Sequence, residues 1–228
     1  MTTSLLTSVV RLFYPHCCES CGADLPQKEE LLCLRCAETL PVTHFQRYQH
    51  NPVEKIFWGR VPVDQAMAAY YYSQSSCLQA MIHRFKYRQR KDIALYLGRR
   101  TGHLLLQSTW LHEITGIVPV PLFPDKLRQR GYNQSQLLAE GIAAVTGKAV
   151  LPALLQRQRY TGTQTRKDRS HRWQNVSGGF AAASNLAGHH LLLVDDVITT
   201  GATTEACCQA LVNQQAKVSV CALAFTYS

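Results

Sequence analysis

Apolar residues recur along this chain in two rhythms. Short apolar runs at Ala66–Tyr72, Gly116–Pro121, His189–Val194 and Val218–Phe225 have strand length. Between them, Leu78–Tyr87, Ile93–His112, Gln134–Val145 and Ala202–Val212 carry apolar residues at helical spacing. Gly147 stands just past the third helix as a stop. Ala153–Arg159 and Gly179–Ala183 read as two further extended pieces, and Thr163–Val176 is polar and rich in Arg. Strands alternating with helices predict an α/β fold with a mostly parallel sheet covered on both faces.

The first sixty residues follow another pattern. Leu5, Leu6, Val9, Val10, Leu12 and Phe13 fit one face of a short helix ended by Pro15. No positive n-region or small-residue cleavage site accompanies them, so a docking helix is expected rather than a targeting segment. Gln46–Arg60 is polar and aromatic, with Pro52 and Gly59, and reads as a linker. The expected division is residues 1–60 as helix, metal module and linker, and residues 61–228 as the α/β domain. No apolar run approaches 18 residues, so no membrane insertion is expected.

Composition sharpens this picture in two ways. Apolar residues make up 46% of the 228, enough for a core, which excludes a disordered chain. Lys and Arg total 24 against 15 Asp and Glu, a net charge of +9. That surplus favours anionic partners: phosphorylated small molecules, nucleic acid or acidic proteins.

Five of nine cysteines fall between residues 17 and 36. Cys18-x2-Cys21 and Cys33-x2-Cys36 are two tight thiolate pairs that complete a four-sulfur tetrahedral zinc site. Four thiolates leave no open coordination position, so the zinc is structural. Cys17 is the alternative to Cys18 as ligand. Cys77, Cys207, Cys208 and Cys221 sit among apolar residues and read as buried free thiols.

The stretch Leu191-Leu-Leu-Val-Asp-Asp-Val-Ile-Thr-Thr-Gly-Ala-Thr203 carries the most chemistry. An apolar strand delivers Asp195 and Asp196, the candidate catalytic residues. A short loop then opens a helix, where ligands of α/β sheets sit. Backbone amides and hydroxyls of Thr199, Thr200, Gly201, Ala202 and Thr203 form a phosphate cradle at the helix N-terminus. Two carboxylates beside a phosphate suit a vicinal diol. No nucleoside-triphosphate P-loop pattern is present.

This stretch resembles the phosphoribosyl-pyrophosphate-binding motif of type I phosphoribosyltransferases. The resemblance implies that Asp195 and Asp196 hold the ribose hydroxyls, partly around Mg²⁺, and that residues 199–203 wrap the 5-phosphate. Val118-Pro-Val-Pro-Leu122, Leu127-Arg-Gln-Arg-Gly-Tyr-Asn-Gln134 and Ile82-His-Arg-Phe-Lys-Tyr-Arg88 are similar to the ComF/GntX family of competence and DNA utilisation. So are Thr163-Gln-Thr165, Arg169, Arg172, Asn175-Val176 and Phe180. Lys167 departs from that family, which usually has an apolar residue there. The implied fold is a type I phosphoribosyltransferase-like, mostly parallel sheet with flanking helices, plus the N-terminal four-cysteine module. The implied pyrophosphate and mobile-loop residues are Lys86, Val120, Pro121, Arg128, Arg130, Gln164, Arg169 and Arg172. His83, near Lys86, is a lesser candidate for a phosphate contact. Some purine-salvage relatives carry an acid at the position of Thr199, so a purine base is a less expected acceptor.

Two readings follow. One is an enzyme that binds phosphoribosyl pyrophosphate with Mg²⁺ and transfers phosphoribose to an unknown acceptor. The other is a non-catalytic ligand-sensing or single-stranded-DNA-binding module. For the second, Tyr70, Tyr71, Tyr72, Phe85, Tyr87, Tyr132 and Trp173 lie near cations and could stack bases. Family association implies cytoplasmic handling of imported DNA, with competence-machinery proteins as partners.

Overall fold

The computed structural model of the protein describes residues 16–27, 30–157 and 179–226. The expected N-terminal docking helix and the Arg-rich stretch with Gln164, Arg169 and Arg172 lie outside the described residues.

The elements run α1 (Leu34–Glu38), α2 (Pro52–Phe57), β1 (Ala66–Tyr71), α3 (Cys77–Tyr87), α4 (Lys91–Leu105) and β2 (Gly116–Pro119). Then come α5 (Pro124–Arg130), α6 (Gln134–Thr146), β3 (Leu155–Arg157), β4 (Phe180–Ala182), β5 (His190–Ile198), α7 (Ala202–Val212) and β6 (Lys217–Phe225). Four parallel strands form the main sheet in the order β1-β6-β5-β2. β3 and β4 form a separate antiparallel pair. Residues 217–225 read almost wholly apolar because β6 is central and covered on both faces: eight of its nine residues are buried.

Three readings of the pattern need correction. Ile93–His112 is not one helix. α4 stops at Leu105, where Ser108 Oγ donates to the Leu105 carbonyl at 2.7 Å, and a 3-10 turn follows at Leu111–Glu113. The stretch 46–60 holds helix α2 rather than bare connector. Asn51 accepts from the Val53 and Glu54 amides at 3.0 and 3.2 Å, and Pro52 opens the first turn. Val53 and Phe57, four apart on one face, are buried. The run read as His189–Val194 begins at His190, buried and 2.8 Å from Ser219 Oγ, and continues as strand β5 past the two carboxylates to Ile198.

The cysteine-rich segment is tied to the sheet edge. Thr43 N–H donates to the Ala69 carbonyl at 3.0 Å, and Tyr71 N–H donates to Pro41 at 2.8 Å. One hydrophobic cluster joins Leu25, Leu32 and Phe45 of that segment to Tyr70, Leu97 and Val220.

Helices α4 and α6 cross at glycines. A Cβ on Gly98 would stand 2.4 Å from the Leu138 carbonyl oxygen, and one on Gly141 would stand 2.5 Å from the Leu95 carbonyl oxygen. Gly98→Ala should therefore lower the melting temperature, despite alanine's better helix propensity. Overpacking of this kind costs about 1–3 kcal/mol. A thermal melt at or above wild type would show that the two helices do not touch there.

Candidate functional site

The site opens where two neighbouring strands part. β2 follows β5 as far as Pro119 and Val194, where the Val120 N–H donates to the Val194 carbonyl at 2.9 Å; beyond that point the Val120 carbonyl is taken by Asn133 and the ladder ends. β5 keeps pairing with β6 as far as Ile198 and Phe225. Asp195 and Asp196 therefore lie inside β5 rather than beyond its end, but on a part of the strand whose β2 side has been vacated. A cleft of about 260 Å³ fills that opening, lined by both carboxylates, Lys86, Val120, Arg130 and residues 199–204.

The two carboxylates do different things. Asp196 forms an ion pair with Lys86 Nζ at 2.8 Å. Asp195 accepts hydrogen bonds from Thr204 Oγ1 at 3.1 Å, Ser135 Oγ at 3.4 Å and the Asp196 amide at 2.8 Å. Burial, and then the adjacent Asp196 charge, push the Asp195 carboxyl up to about 6. Its hydrogen bonds and the Lys86 charge oppose that rise. Ser135 and Thr204 were not singled out in the sequence. The only signal was their position in the first turns of α6 and α7.

The cradle loop depends on the stretch read as a linker. Gly201 has φ +75, and a Cβ there would stand 2.5 Å from Ile56 Cγ2 of α2. Glycine at 201 thus answers both a left-handed backbone and the close approach of α2. Arg60 donates to the Thr200 carbonyl at 3.2 Å and pairs with Glu205, bracing the loop from outside.

Leu127–Gln134, part of the family resemblance, turns out to be largely architectural. Tyr132 donates its hydroxyl to the Phe85 carbonyl of α3. Asn133 donates to the Val120 carbonyl at 3.0 Å and accepts from Ser135 N–H at 3.1 Å, so it ties the end of β2 to the start of α6. Arg130 lines the cleft and donates to Gln134 at 2.8 Å. Arg128 does not line it; its side chain is 69% exposed and pairs with Asp125 at 2.6 Å. Lys126 lines the cleft, as does Arg157, whose guanidinium lies between Phe123 and Phe180 at 3.1 and 4.5 Å from the ring centres. Val120, Pro121 and residues 199–203 line it as well. Of the aromatics expected to stack bases, Tyr70, Phe85 and Tyr132 are buried in the core, and Trp173 lies outside the described residues. Tyr87 is exposed.

The four-cysteine cluster is separate from the cleft. The sulfurs of Cys18, Cys21, Cys33 and Cys36 lie within 4.8 Å of one another, and Cys21 and Cys33 are 3.7 Å apart. A tetrahedron with metal–sulfur legs of about 2.3 Å has edges of about 3.8 Å, so the set fits zinc. Cys17 lies outside the cluster, with its thiol directed to Asp24 at 3.7 Å. Burial works against the Cys18 thiolate, but N–H donors from Cys21, Cys33 and Ser20 outweigh it and bring its pKa to about 6. Glu19, between the first two ligands, pairs with Arg84 of α3 and with Arg90 at 2.7 Å. The cysteine module thus grips the helix that carries Lys86.

Asp195 makes stability depend on pH in a definite direction. Its folded pKa exceeds the ordinary value, so the fold holds this proton while the unfolded chain releases it between about pH 4 and 6. The contribution to stability is therefore lost as pH rises through that window. Asp195→Asn should melt above wild type at pH 7.5, with the gap closing by pH 4. A gap that is constant across this range would show that Asp195 ionises as freely in the fold as out of it.

Residues 135–227 match the phosphoribosyl transferase domain family. DNA utilization protein YhgH of Salmonella typhimurium is 34% identical over 110 residues, covering 45% of this chain and 47% of that one. Competence protein F of Haemophilus influenzae is 31% identical over 109 residues, covering 46% and 48%. The chain spans about half the length of the curated relatives it matches. Among solved structures, adenine phosphoribosyltransferase from Saccharomyces cerevisiae is similar, with TM-score 0.39 and 13% identity over 61% of this chain and 72% of that one. Residues 135–227 thus carry a phosphoribosyl transferase domain match, and about half of the chain is homologous to proteins named for DNA utilization and competence.

Proposed function

We propose that this protein binds phosphoribosyl pyrophosphate with Mg²⁺ and transfers phosphoribose to an acceptor, in cytoplasmic handling of DNA or its nucleotides. The observation that carries this reading is the junction of Asp195 and Asp196 with the 199–204 cradle in one cleft, beside Lys86, Lys126, Arg130 and Arg157. The α7 N-terminus and loop amides receive the 5-phosphate. The two carboxylates accept hydrogen bonds from the ribose hydroxyls.

In the reaction, the bond between ribose C1 and the pyrophosphate oxygen breaks while the acceptor atom bonds to C1. Positive charge develops on the ring, and the bonding pair leaves with pyrophosphate. The cationic side chains lining the cleft stabilise that leaving charge in a partly enclosed site. Mg²⁺ bound with the substrate would supply further neutralisation of the pyrophosphate, and the Asp195 and Asp196 carboxylates are the hard oxygen donors that suit it. Gln164, Arg169 and Arg172 are proposed to close over the ligand. No described helix is long and apolar enough to cross a membrane. Names given to the relatives, DNA utilization and competence, support the cellular setting.

Zinc in the cysteine module is part of the same proposal. Metal analysis of pure protein should give about one zinc per chain, bound by Cys18, Cys21, Cys33 and Cys36. Cys33→Ser with Cys36→Ser should remove it and destabilise the fold, since structural zinc contributes folding free energy directly. Unchanged metal content would reassign the ligands.

The functional test is calorimetric titration of phosphoribosyl pyrophosphate with Mg²⁺. Asp195→Asn plus Asp196→Asn should weaken binding at least tenfold while the protein stays folded by thermal melt. Equal affinity in both proteins would remove the phosphoribosyl reading. Loss of binding together with loss of the folded transition would make the pair structural.

A further inference from the structure

The amino-terminal edge of the main sheet, opposite the cleft, gathers four ionisable side chains. Asp64 precedes β1, Glu113 ends the 3-10 turn before β2, His190 begins β5 and Lys217 begins β6. The sheet fixes their backbones. Asp64 N–H donates to the Val218 carbonyl at 2.8 Å, Lys217 N–H to the His189 carbonyl at 2.9 Å, and Thr115 N–H to the His190 carbonyl at 2.8 Å.

His190 is the unusual member. Its side chain is only 6% exposed, yet its Nδ1 has no hydrogen-bond partner among the described residues. Leaving a buried ring nitrogen unpaired is costly. Nδ1 faces Glu113 Oε2 at 3.5 Å, too long for an N–H···O bond. Asp64 Oδ2 lies 3.7 Å from Nε2 of the same ring. Nε2 in turn lies 2.8 Å from the buried Ser219 Oγ. With Nε2–H donated to Ser219, the Nδ1 lone pair points toward Glu113. Metal-binding histidines are held this way, with the second ring nitrogen donating to an oxygen. Burial, and then the Lys217 charge, keep His190 below the usual histidine range, so the ring is neutral, the form that binds metal.

The distances suit zinc. Two metal–ligand bonds of about 2.1 Å at the tetrahedral angle span about 3.4 Å, close to the separation of Nδ1 and Oε2. One donor atom each from Asp64, Glu113 and His190 lie within 4.8 Å of one another. A single cation already reaches both acids: Lys217 Nζ is 3.1 Å from Asp64 Oδ1 and 2.7 Å from Glu113 Oε2. That lysine is half exposed and can swing into water. Both carboxylates are partly exposed as well, which gives a metal an entry path and lets water complete its coordination.

We propose that Asp64, Glu113 and His190 form a second zinc site, open to water, with Lys217 as the counter-ion that the metal displaces. Bound there, zinc ties together the segments entering β1, β2 and β5 and stabilises the sheet from the edge opposite the cleft. This inference stands independently of the phosphoribosyl reading.

The test is a calorimetric titration of zinc into full-length protein whose four-cysteine cluster is already loaded, with Mg²⁺ in excess to compete at the Asp195–Asp196 cleft. One further equivalent should bind and raise the melting temperature. Glu113→Gln, an isosteric change at an exposed position, should weaken that event at least tenfold. Lys217→Ala should tighten it at least tenfold, because the competing ammonium is gone. Cobalt bound at this site should show no thiolate-to-metal charge-transfer absorption, which separates it from the cysteine cluster. Absence of a further equivalent, a Glu113→Gln protein that binds zinc as wild type does, or weaker binding in Lys217→Ala would each overturn the proposal. Affinity of Glu113→Gln for phosphoribosyl pyrophosphate should equal that of wild type, so the two proposals fail separately.

Discussion

Everything at the site depends on β5 continuing to hydrogen-bond to β6 after β2 has turned away. Parallel strands whose partners diverge leave a crevice at their carboxyl ends, and ligands of open α/β sheets use such crevices. The last β2 donor toward β5 is the Val120 N–H, and Asn133 takes the Val120 carbonyl that would have continued the ladder. Pro119 and Pro121 alternate with Val120, so their missing N–H groups fall on the outer edge of the sheet, away from β5. The main sheet stays intact on the β6 side, so Asp195 and Asp196 sit on a rigid strand beside open space. A buried carboxylate next to a second one is costly, and the fold offsets only part of that cost with Thr204, Ser135 and Lys86. Such uncompensated strain is what a group held ready for a ligand would show.

The cysteine module and the cleft are linked through helix α3. Glu19 lies between two thiolate positions and holds Arg84, while Lys86, two residues further along the same helix, reaches Asp196. An arginine pair on a half-buried carboxylate is directional, so it fixes the orientation of the helix more than it adds stability. The order imposed by four sulfurs is thereby passed to a residue inside the cleft.

Local rules carried far. Helix α7 matches the boundaries read from periodicity, and Gly147 ends the helix before it with φ +71. β6 and the strand leading to Asp195 were visible as apolar runs, because a central parallel strand is buried on both faces. The four-cysteine ligand set was legible from spacing alone, and the choice of Cys18 over Cys17 needed the sulfur positions. Helix α2 was missed although Asn51-Pro52 is a cap followed by a first-turn proline. The surrounding polar and aromatic residues masked its two buried apolar positions, Val53 and Phe57.

The sequence by itself determined most of the element types, three of the four clustered sulfurs and the strand–loop–helix that carries Asp195 to Thr203. Each of these is encoded within a few consecutive residues, by periodicity or by fixed spacing. Only the tertiary structure decided which distant groups meet that segment. Lys86 and Arg130 reach the cleft while Arg128, two residues from Arg130, faces solvent. Ile56 and Arg60 press on Gly201 and Thr200 from a segment about 140 residues earlier. Three of the seven aromatics that looked available for stacking, Tyr70, Phe85 and Tyr132, are core. Side-chain direction at long sequence separation follows from how whole helices pack on the sheet, and no local pattern carries that information.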